Sequence, residues 1–415
     1  PSPAPELTAN YPESPMRAAI IARQFDVQGR LVTVEPYGSG NVNDTYLAVF
    51  RTTFSEQRFI VQRIRKAVFP NPEVIMQNMR VLTDHCHAKL EHEAEGADRI
   101  WQLPKIIQTK TGEDWVTDVD GDLWRAISQI ASADAYEKVR NPEHAHEAGI
   151  VLGHFHRMVS DLPAEKLGYA LPGFHVTPGY LSKMDAALAT PDGQERLHAS
   201  QEAKRAVRFV EARRARCSVL EDARARGDLG LRTTHGDPKV GNIMIDEATG
   251  RGTCIVDLDT VQPGLVHYDI GDAMRSVCNP AGEDASELGS VIFDLELFSM
   301  IYRGYQAHAK DFLSPADHRH LFDCIHLIPL ELGIRFLADH LAGDVYFKVR
   351  YPGHNLRRAL VQFKLAESIE AREPSIRKVL GDLTAAGVDS DEAAVREQLG
   401  FKLVEARRQI IEQSN

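Results

Sequence analysis

The segment Thr233-Thr234-His235-Gly236-Asp237-Pro238-Lys239-Val240-Gly241-Asn242-Ile243-Met244-Ile245, followed by Ile255-Val256-Asp257-Leu258-Asp259, constrains this chain more than any other feature. Asn242 to Ile245 reads as a strand, Asp246 to Gly252 as a turn, and Thr253 to Val256 as the returning strand. Such a hairpin brings Asn242 and Asp257 to one edge. A His-x-Asp-x-x-x-x-Asn loop with a second acid at a strand end holds the parts that phosphoryl transfer needs. These are a carboxylate for the attacking hydroxyl, hard oxygen ligands for Mg²⁺ on the phosphates, and a cation for the developing charge. On this reading Asp237 accepts the hydroxyl proton, Asn242 and Asp257 hold the metal, and Lys239 reaches the γ-phosphate. A lone His-Gly-Asp would as readily cap a turn; the whole pattern, in this order on these elements, favours the catalytic reading.

The rest of the chain divides near residue 130. Residues 1–15 read as an irregular proline-rich arm and Met16 to Phe25 as a short helix. Strand signals follow at Leu31–Pro36, Tyr46–Thr53 and Phe59–Ile64. Asn71-Pro72-Glu73 opens a long helix with Val74, Ile75, Met79, Val81 and Leu82 at near-helical spacing. Strands are expected again at 104–109, 113–118 and Leu123–Ile130, with Asp118–Asp122 as a turn. Beyond Ala131 helical stretches dominate, at 142–160, 178–189, 194–226, 286–309, 314–342, 354–371 and 392–413. The β-rich stretch 232–258 interrupts them. The expected fold is therefore α+β and two-lobed: a small β-rich N-terminal lobe (1–130) for the nucleotide, and a large, mainly helical C-terminal lobe (131–415). The second lobe carries the catalytic loop 235–242 and the metal-binding strand end 255–259. Adenine is expected to meet backbone at the hinge, near Gln129 and Ala131. Gly38-Ser39-Gly40, with Asn41, would be an ordinary hairpin in isolation. Upstream of the stronger motif it reads as a cover over the phosphates, where glycine lets backbone N–H groups approach closely.

The chain has 415 residues, 43% apolar and 26% charged, which suits a soluble globular protein. Its net charge of −11 gives no general attraction for nucleic acid or an anionic membrane. Cysteines at 86, 217, 254, 278 and 324 are odd in number and widely spaced. Neither a disulfide framework nor a zinc site is expected, and a reducing cytoplasm fits best. The N-terminus does not read as a secretory signal, and no apolar run suits a membrane span. The pairs His85/His87, His154/His156 and His318/His320 stand two apart and so do not share a helix face. Asp118-Val119-Asp120-Gly121-Asp122 lacks the final Glu of a calcium loop and reads as a plain turn.

The chain resembles the aminoglycoside phosphotransferase and choline kinase superfamily, which shares the protein kinase fold, and within it looks most like the N-acetylhexosamine 1-kinases. Besides the motif above, the likeness rests on Gly38 to Tyr46, Gln62-Arg63-Ile64 with Val68-Phe69-Pro70, and Val256 to Val261 with Pro263-Gly264. It also rests on Tyr268-Asp269-Ile270-Gly271-Asp272-Ala273 with Arg275, and on Arg335-Phe336-Leu337 through Gly343–Phe347 to His354-Asn355-Leu356. The resemblance implies ATP and Mg²⁺ as cofactors, Asp237 as base, and Asn242 and Asp257 as metal ligands with Asp259 assisting. It implies that Asp269 braces the catalytic loop and that Arg335 and Tyr346 bind a sugar. One departure stands out. Kinases carry a Lys on the third strand, paired with a Glu on the next helix. Here that strand ends Val61-Gln62-Arg63, and the helix offers Glu73 only at its start, then Gln77 and Asn78. Arg63 is the expected phosphate-gripping cation. Three functions stay open: a sugar kinase acting at an anomeric hydroxyl; a kinase for choline, another amino alcohol, homoserine or an aminoglycoside; and a catalytically silent nucleotide-binding protein. Gly173-Phe174-His175 receives no role, and Asp389 to Gln413 would be helices packed on the large lobe or on a second subunit, so monomer and homodimer both remain open.

Overall fold

The computed structural model describes residues 15–38, 42–93, 99–130, 132–310 and 312–385. The arm up to residue 14, Ser39, Gly40, Asn41, Ala131 and the helices expected within 389–413 lie outside the described residues. The N-terminal part begins with α1 (Pro15–Ala22), β1 (Arg30–Pro36), β2 (Asp44–Arg51), β3 (Glu56–Ile64) and α2 (Pro72–Glu93). It continues with β4 (Ile106–Ile107), β5 (Val116–Thr117) and β6 (Leu123–Ser128). Four of these strands and the short β4 form an antiparallel path β1-β2-β3-β6-β4, with β5 also pairing with β6. The expected strands at 104–109 and 113–118 thus shrink to two residues each.

Strand periodicity decides the packing of this sheet. In β2 the buried side chains are Tyr46, Ala48 and Phe50, and they join Val61, Trp124 and Ala126 beneath Ala18, Ile21 and Phe25. Helix α1 and the turn after it therefore cover one face. At the other face, Ile64 and Leu123 share a core with Ile75, Met76, Met79 and Leu82 of α2.

The larger part contains β7 (Ala133–Ala135), α3 (Pro142–Val159), α4 (Thr177–Leu188), α5 (Pro191–Ala199), α6 (Gln201–Glu211), α7 (Val219–Ala225) and β8 (Arg232–Thr234). Then come β9 (Ile243–Asp246), β10 (Gly252–Ile255), β11 (Gln262–Gly264) and α8 (Val266–Val277). The remainder is α9 (Leu295–Ala309), α10 (Pro315–Arg319), α11 (Leu321–Ala342), α12 (His354–Ala371) and α13 (Glu373–Ala385). The α+β expectation holds. The helical stretch expected at 194–226 is broken: Ser200 is extended and its side chain caps Ala203 N, starting α6 afresh. The stretch expected from 286 becomes helical at Leu295, where the Asp294 carboxylate accepts the N–H groups of Glu296 and Leu297. Helix α8 went unanticipated as a helix.

Helix α11 is buried nearly all round, as an apolar helix at the centre of a lobe must be. Helices α3 and α9 cross at three glycines, Gly149, Gly153 and Gly304. A Cβ on Gly149 would stand 2.0 Å from Ile301 O, and one on Gly304 would stand 2.0 Å from His146 O. Backbone-to-backbone approach at that crossing admits no side chain. No helix among the described residues is long and apolar enough to cross a membrane. All five cysteines are buried and free.

Candidate active site

Strand β8 delivers the chain into the loop 235–242, and buried groups beneath hold that loop. Asp269, near the start of α8, accepts the N–H of His235 (2.7 Å) and of Gly236 (2.8 Å). His156 on α3 stands 2.8 Å from the same carboxylate. Burial would push the Asp269 carboxyl up, yet the contacts from His156 and the loop hold it below its usual range. Gly236 has a φ of 89°, and a Cβ there would meet Thr260 O at 2.7 Å, so glycine is required. His235 accepts the Asp237 N–H at Nδ1 (3.2 Å) and donates from Nε2 to Val256 O (3.0 Å). Those partners, with burial lowering its pKa, assign a neutral imidazole. His235 thus ties the loop to the strand end that carries Asp257.

The β9–β10 hairpin forms as expected, with Ile255 opposite Ile243, and Val256 N donates to Asn242 O at 2.8 Å. Asn242 Nδ2 donates to Asp237 O (2.7 Å) and Asp237 Oδ2 (3.1 Å). Its side-chain oxygen is then the atom left to face a cation. Lys239 Nζ pairs with Asp237 Oδ2 at 2.7 Å. Burial would raise the Asp237 carboxyl, but the Lys239 cation outweighs it and keeps the group low. Asp257 has a φ of 65°, a left-handed conformation that costs about 1–3 kcal/mol in a non-glycine residue. Burial first, and the Asp259 charge second, push its carboxyl up to about 7. A buried carboxyl crowded by another acid, beside a free amide oxygen, is a hard-oxygen donor set that suits a divalent cation such as Mg²⁺.

These groups share one cavity of about 570 Å³ at the mouth between the lobes, lined by Asp237, Lys239, Asn242, Asp257 and Asp259 below and by Gly38, Gln62, Arg125 and Gln129 above. Ile60, Ile127, Met244 and Val256 also line it, and such apolar side chains suit a planar base.

Arg63 is not part of this cavity. Its guanidinium bonds Asp44 (2.7 Å from Nε) and Asp122 (3.2 Å), and strand alternation sends it to the face opposite Gln62. The expectation that Arg63 grips a phosphate is corrected by this register. The cation that lines the cavity from the sheet is Arg125 on β6, directly opposite Gln62. It donates to Gln62 Oε1 at 3.0 and 2.7 Å and pairs with Asp259 at 2.5 Å. Asp259 also accepts from Asn43 Nδ2 at 2.5 Å. On α2, Asn78 spends its amide on the carbonyls of Gly168 (2.7 Å) and Val261 (2.8 Å), and Met79 Sδ lies 3.9 Å from Arg125. The ion pair lining this cavity is thus formed by an arginine on β6 and an aspartate from the other lobe. The sequence held a signal for it: in the expected strand Leu123–Ile130, Arg125 falls in phase with Leu123 and Ile127.

Arg335 and Tyr346 lie outside the nucleotide-sized cavity, on α11 and the turn after it. The Arg335 guanidinium sits among Tyr180 (5.0 Å), Phe174 (5.2 Å) and Phe347 (5.6 Å). It makes no ion pair and no side-chain hydrogen bond to a described residue, and Asp237 is near enough for its charge to act on it. Tyr346 is 51% exposed. Its turn is fixed by Asp339, whose carboxylate accepts the N–H groups of Val345 (3.0 Å), Tyr346 (2.8 Å) and Phe347 (2.9 Å). The acidic turn is plain: Asp118 accepts from the N–H groups of Asp120 and Asp122, both at 3.0 Å.

Residues 33–292 match the phosphotransferase enzyme family. A microcompartment-associated aminopropanol kinase is similar in structure, with a TM-score of 0.53 and 17% identity over 87% of this chain and 98% of that one. An aminoglycoside phosphotransferase from Alicyclobacillus acidocaldarius gives 0.53 and 14% over 92% and 98%. A choline kinase from Cryptosporidium parvum gives 0.51 and 12% over 90% and 97%. At such identities the likeness is one of fold.

Proposed function

The chain belongs to the phosphotransferase enzyme family, and from that premise we propose that it is an ATP-dependent, Mg²⁺-requiring kinase that phosphorylates a hydroxyl of a small molecule, foremost the anomeric hydroxyl of an N-acetylhexosamine or related sugar. The observation that carries the proposal is the convergence of Asp237, Asn242 and Asp257 on one cavity.

Asp237, ionised at neutral pH, takes the acceptor proton as the new O–P bond forms and the bond from the γ-phosphorus to the bridging oxygen of ADP breaks. Lys239 orients that carboxylate and offers positive charge beside it. Asn242 and Asp257 would hold Mg²⁺, which neutralises phosphate charge when bound. Arg125, anchored by Gln62 and Asp259, takes the phosphate-facing role, and Gly38 lies at the cavity's cover. Gln129 stands at the hinge and, with the apolar side chains for the base, lines the cavity.

The acceptor reading rests on Arg335. A half-buried guanidinium that makes no ion pair with a described residue, near the base, favours a neutral acceptor rich in oxygen acceptors, with Tyr180 and Tyr346 as faces for a sugar ring. Choline and amino alcohols are cations and would be repelled by it. The silent reading loses its motive, since Arg125 lines the cavity where Arg63 does not.

Coupled ADP release measured against N-acetylhexosamines, other sugars, choline and kanamycin tests this reading. Turnover with a sugar is expected. Asp237→Asn should lower kcat by about 10²–10⁴-fold while ATP still raises the melting temperature. Undiminished turnover in that variant would remove Asp237 from the mechanism.

A further inference from the structure

His175 is a buried residue in a conformation that histidine adopts rarely, with a φ of 60°. It precedes α4 and is 5% exposed. Both of its ring nitrogens meet acceptor oxygens: a backbone carbonyl, and the carboxyl of Glu331, which burial would raise but the His175 charge holds below its usual range and so ionised. Nδ1 lies 2.9 Å from Glu331 Oε1 and Nε2 lies 2.8 Å from Gly236 O. Two acceptors require two N–H donors, which only the imidazolium has. Glu331 is itself 1% exposed, and its other oxygen accepts from Thr177 Oγ1 at 2.7 Å. Burial works against the charge on His175, but Glu331 outweighs it and holds the pKa up. The groups facing the ring are Glu331 on α11, Asp272 and Tyr268 on α8, and the Gly236 carbonyl.

The place of the second bond matters. The Gly236 carbonyl belongs to the peptide unit that enters Asp237. Asp269 holds the two N–H groups before that unit, and His175 is the group found on its carbonyl. Glu331, the anchor of His175, stands one helical turn before Arg335 on α11, so the two side chains share a face. We propose that His175 is a positioning residue: as an imidazolium clamped by Glu331, it fixes the Gly236–Asp237 peptide and so sets the base in register with the acceptor-facing side of α11. The inference rests on the kinase reading above.

The test uses the full chain and the acceptor on which the wild type turns over. His175→Ala should lower kcat at least tenfold with KM for ATP within about twofold, and with the ATP-induced rise in melting temperature preserved. Glu331→Gln keeps a hydrogen-bond partner for Nδ1 but removes the charge. Its kcat should match the wild type more closely at pH 6 and fall away toward pH 8, as the imidazolium loses its proton. If His175→Ala does not fold, the pH profile of Glu331→Gln decides alone. A kcat for His175→Ala within threefold of the wild type would overturn the inference, as would a Glu331→Gln profile parallel to that of the wild type. Absence of wild-type turnover on every acceptor would instead overturn the kinase reading and this inference with it.

Discussion

Arg125 and Asp259 meet across the mouth between the lobes, Nη2 to Oδ1 at 2.5 Å, with side chains only 1% and 2% exposed. One comes from the last long strand of the sheet and the other from the turn after the catalytic hairpin. Arg125→Ala leaves Asp259 buried without its cation, which costs about 3–5 kcal/mol. Chemical denaturation should show that loss, and KM for ATP should rise. Arg63→Ala removes ion pairs to Asp44 and Asp122 on the far face of the sheet and should leave KM for ATP unchanged. Equal effects of the two variants on KM would refute the assignment of the phosphate-facing cation.

Asp339 gathers three successive backbone N–H groups and also accepts from Asn355 Nδ2 at 2.9 Å. Asp339→Ala strands these donors and should cost about 1–3 kcal/mol. Because the turn carries Tyr346, KM for the acceptor should rise several-fold while KM for ATP holds. Steady-state kinetics with each substrate varied in turn will separate the two.

The α3–α9 crossing predicts a contrast between glycines. Gly304→Ala drives a methyl group against His146 O and should destabilise by about 1–3 kcal/mol or more. Gly381→Ala lies within α13 with nothing near its added Cβ, and should stabilise by about 0.5–1 kcal/mol. Melting temperatures that shift in opposite directions are the expected result.

Glu370 supplies a pH dependence. Burial would raise its carboxyl, but hydrogen bonds from His326 (2.7 Å) and Arg213 (2.7 and 2.6 Å) hold it down to about 2. A depressed folded-state pKa means that the unfolded chain binds the proton first. The contribution is therefore complete above pH about 4.5 and is lost as pH falls toward about 2. Glu370→Gln should be less stable than the wild type at pH 7, and that deficit should shrink across this window in denaturation curves taken at successive pH values.

Short-range features could be read from residue order. The loop 235–242 and the β9–β10 hairpin span few residues, and their bonding is internal: Val256 N to Asn242 O, and His235 to Val256 O. Strand β2 alternates plainly, and the helix opened by Pro72 has its signal at its own start. Arg63 was misjudged because identity and position in a strand do not say which face meets the cleft. Helix α1, packed on Tyr46, Ala48 and Val61, decides that, and it turns Gln62 inward and Arg63 out. His175 carried no local signal at all, since its partners stand at 236 and 331.

Residue order alone therefore specified which chemical groups are present and how neighbours along the chain bond. The packing of distant segments chose which strand-borne cation lines the cavity, which histidine meets two acceptors and which aspartate anchors the turn that carries Tyr346. The reason is physical: charge states and pairings follow from burial and from partners a few ångströms away, and folding brings those partners from far along the chain.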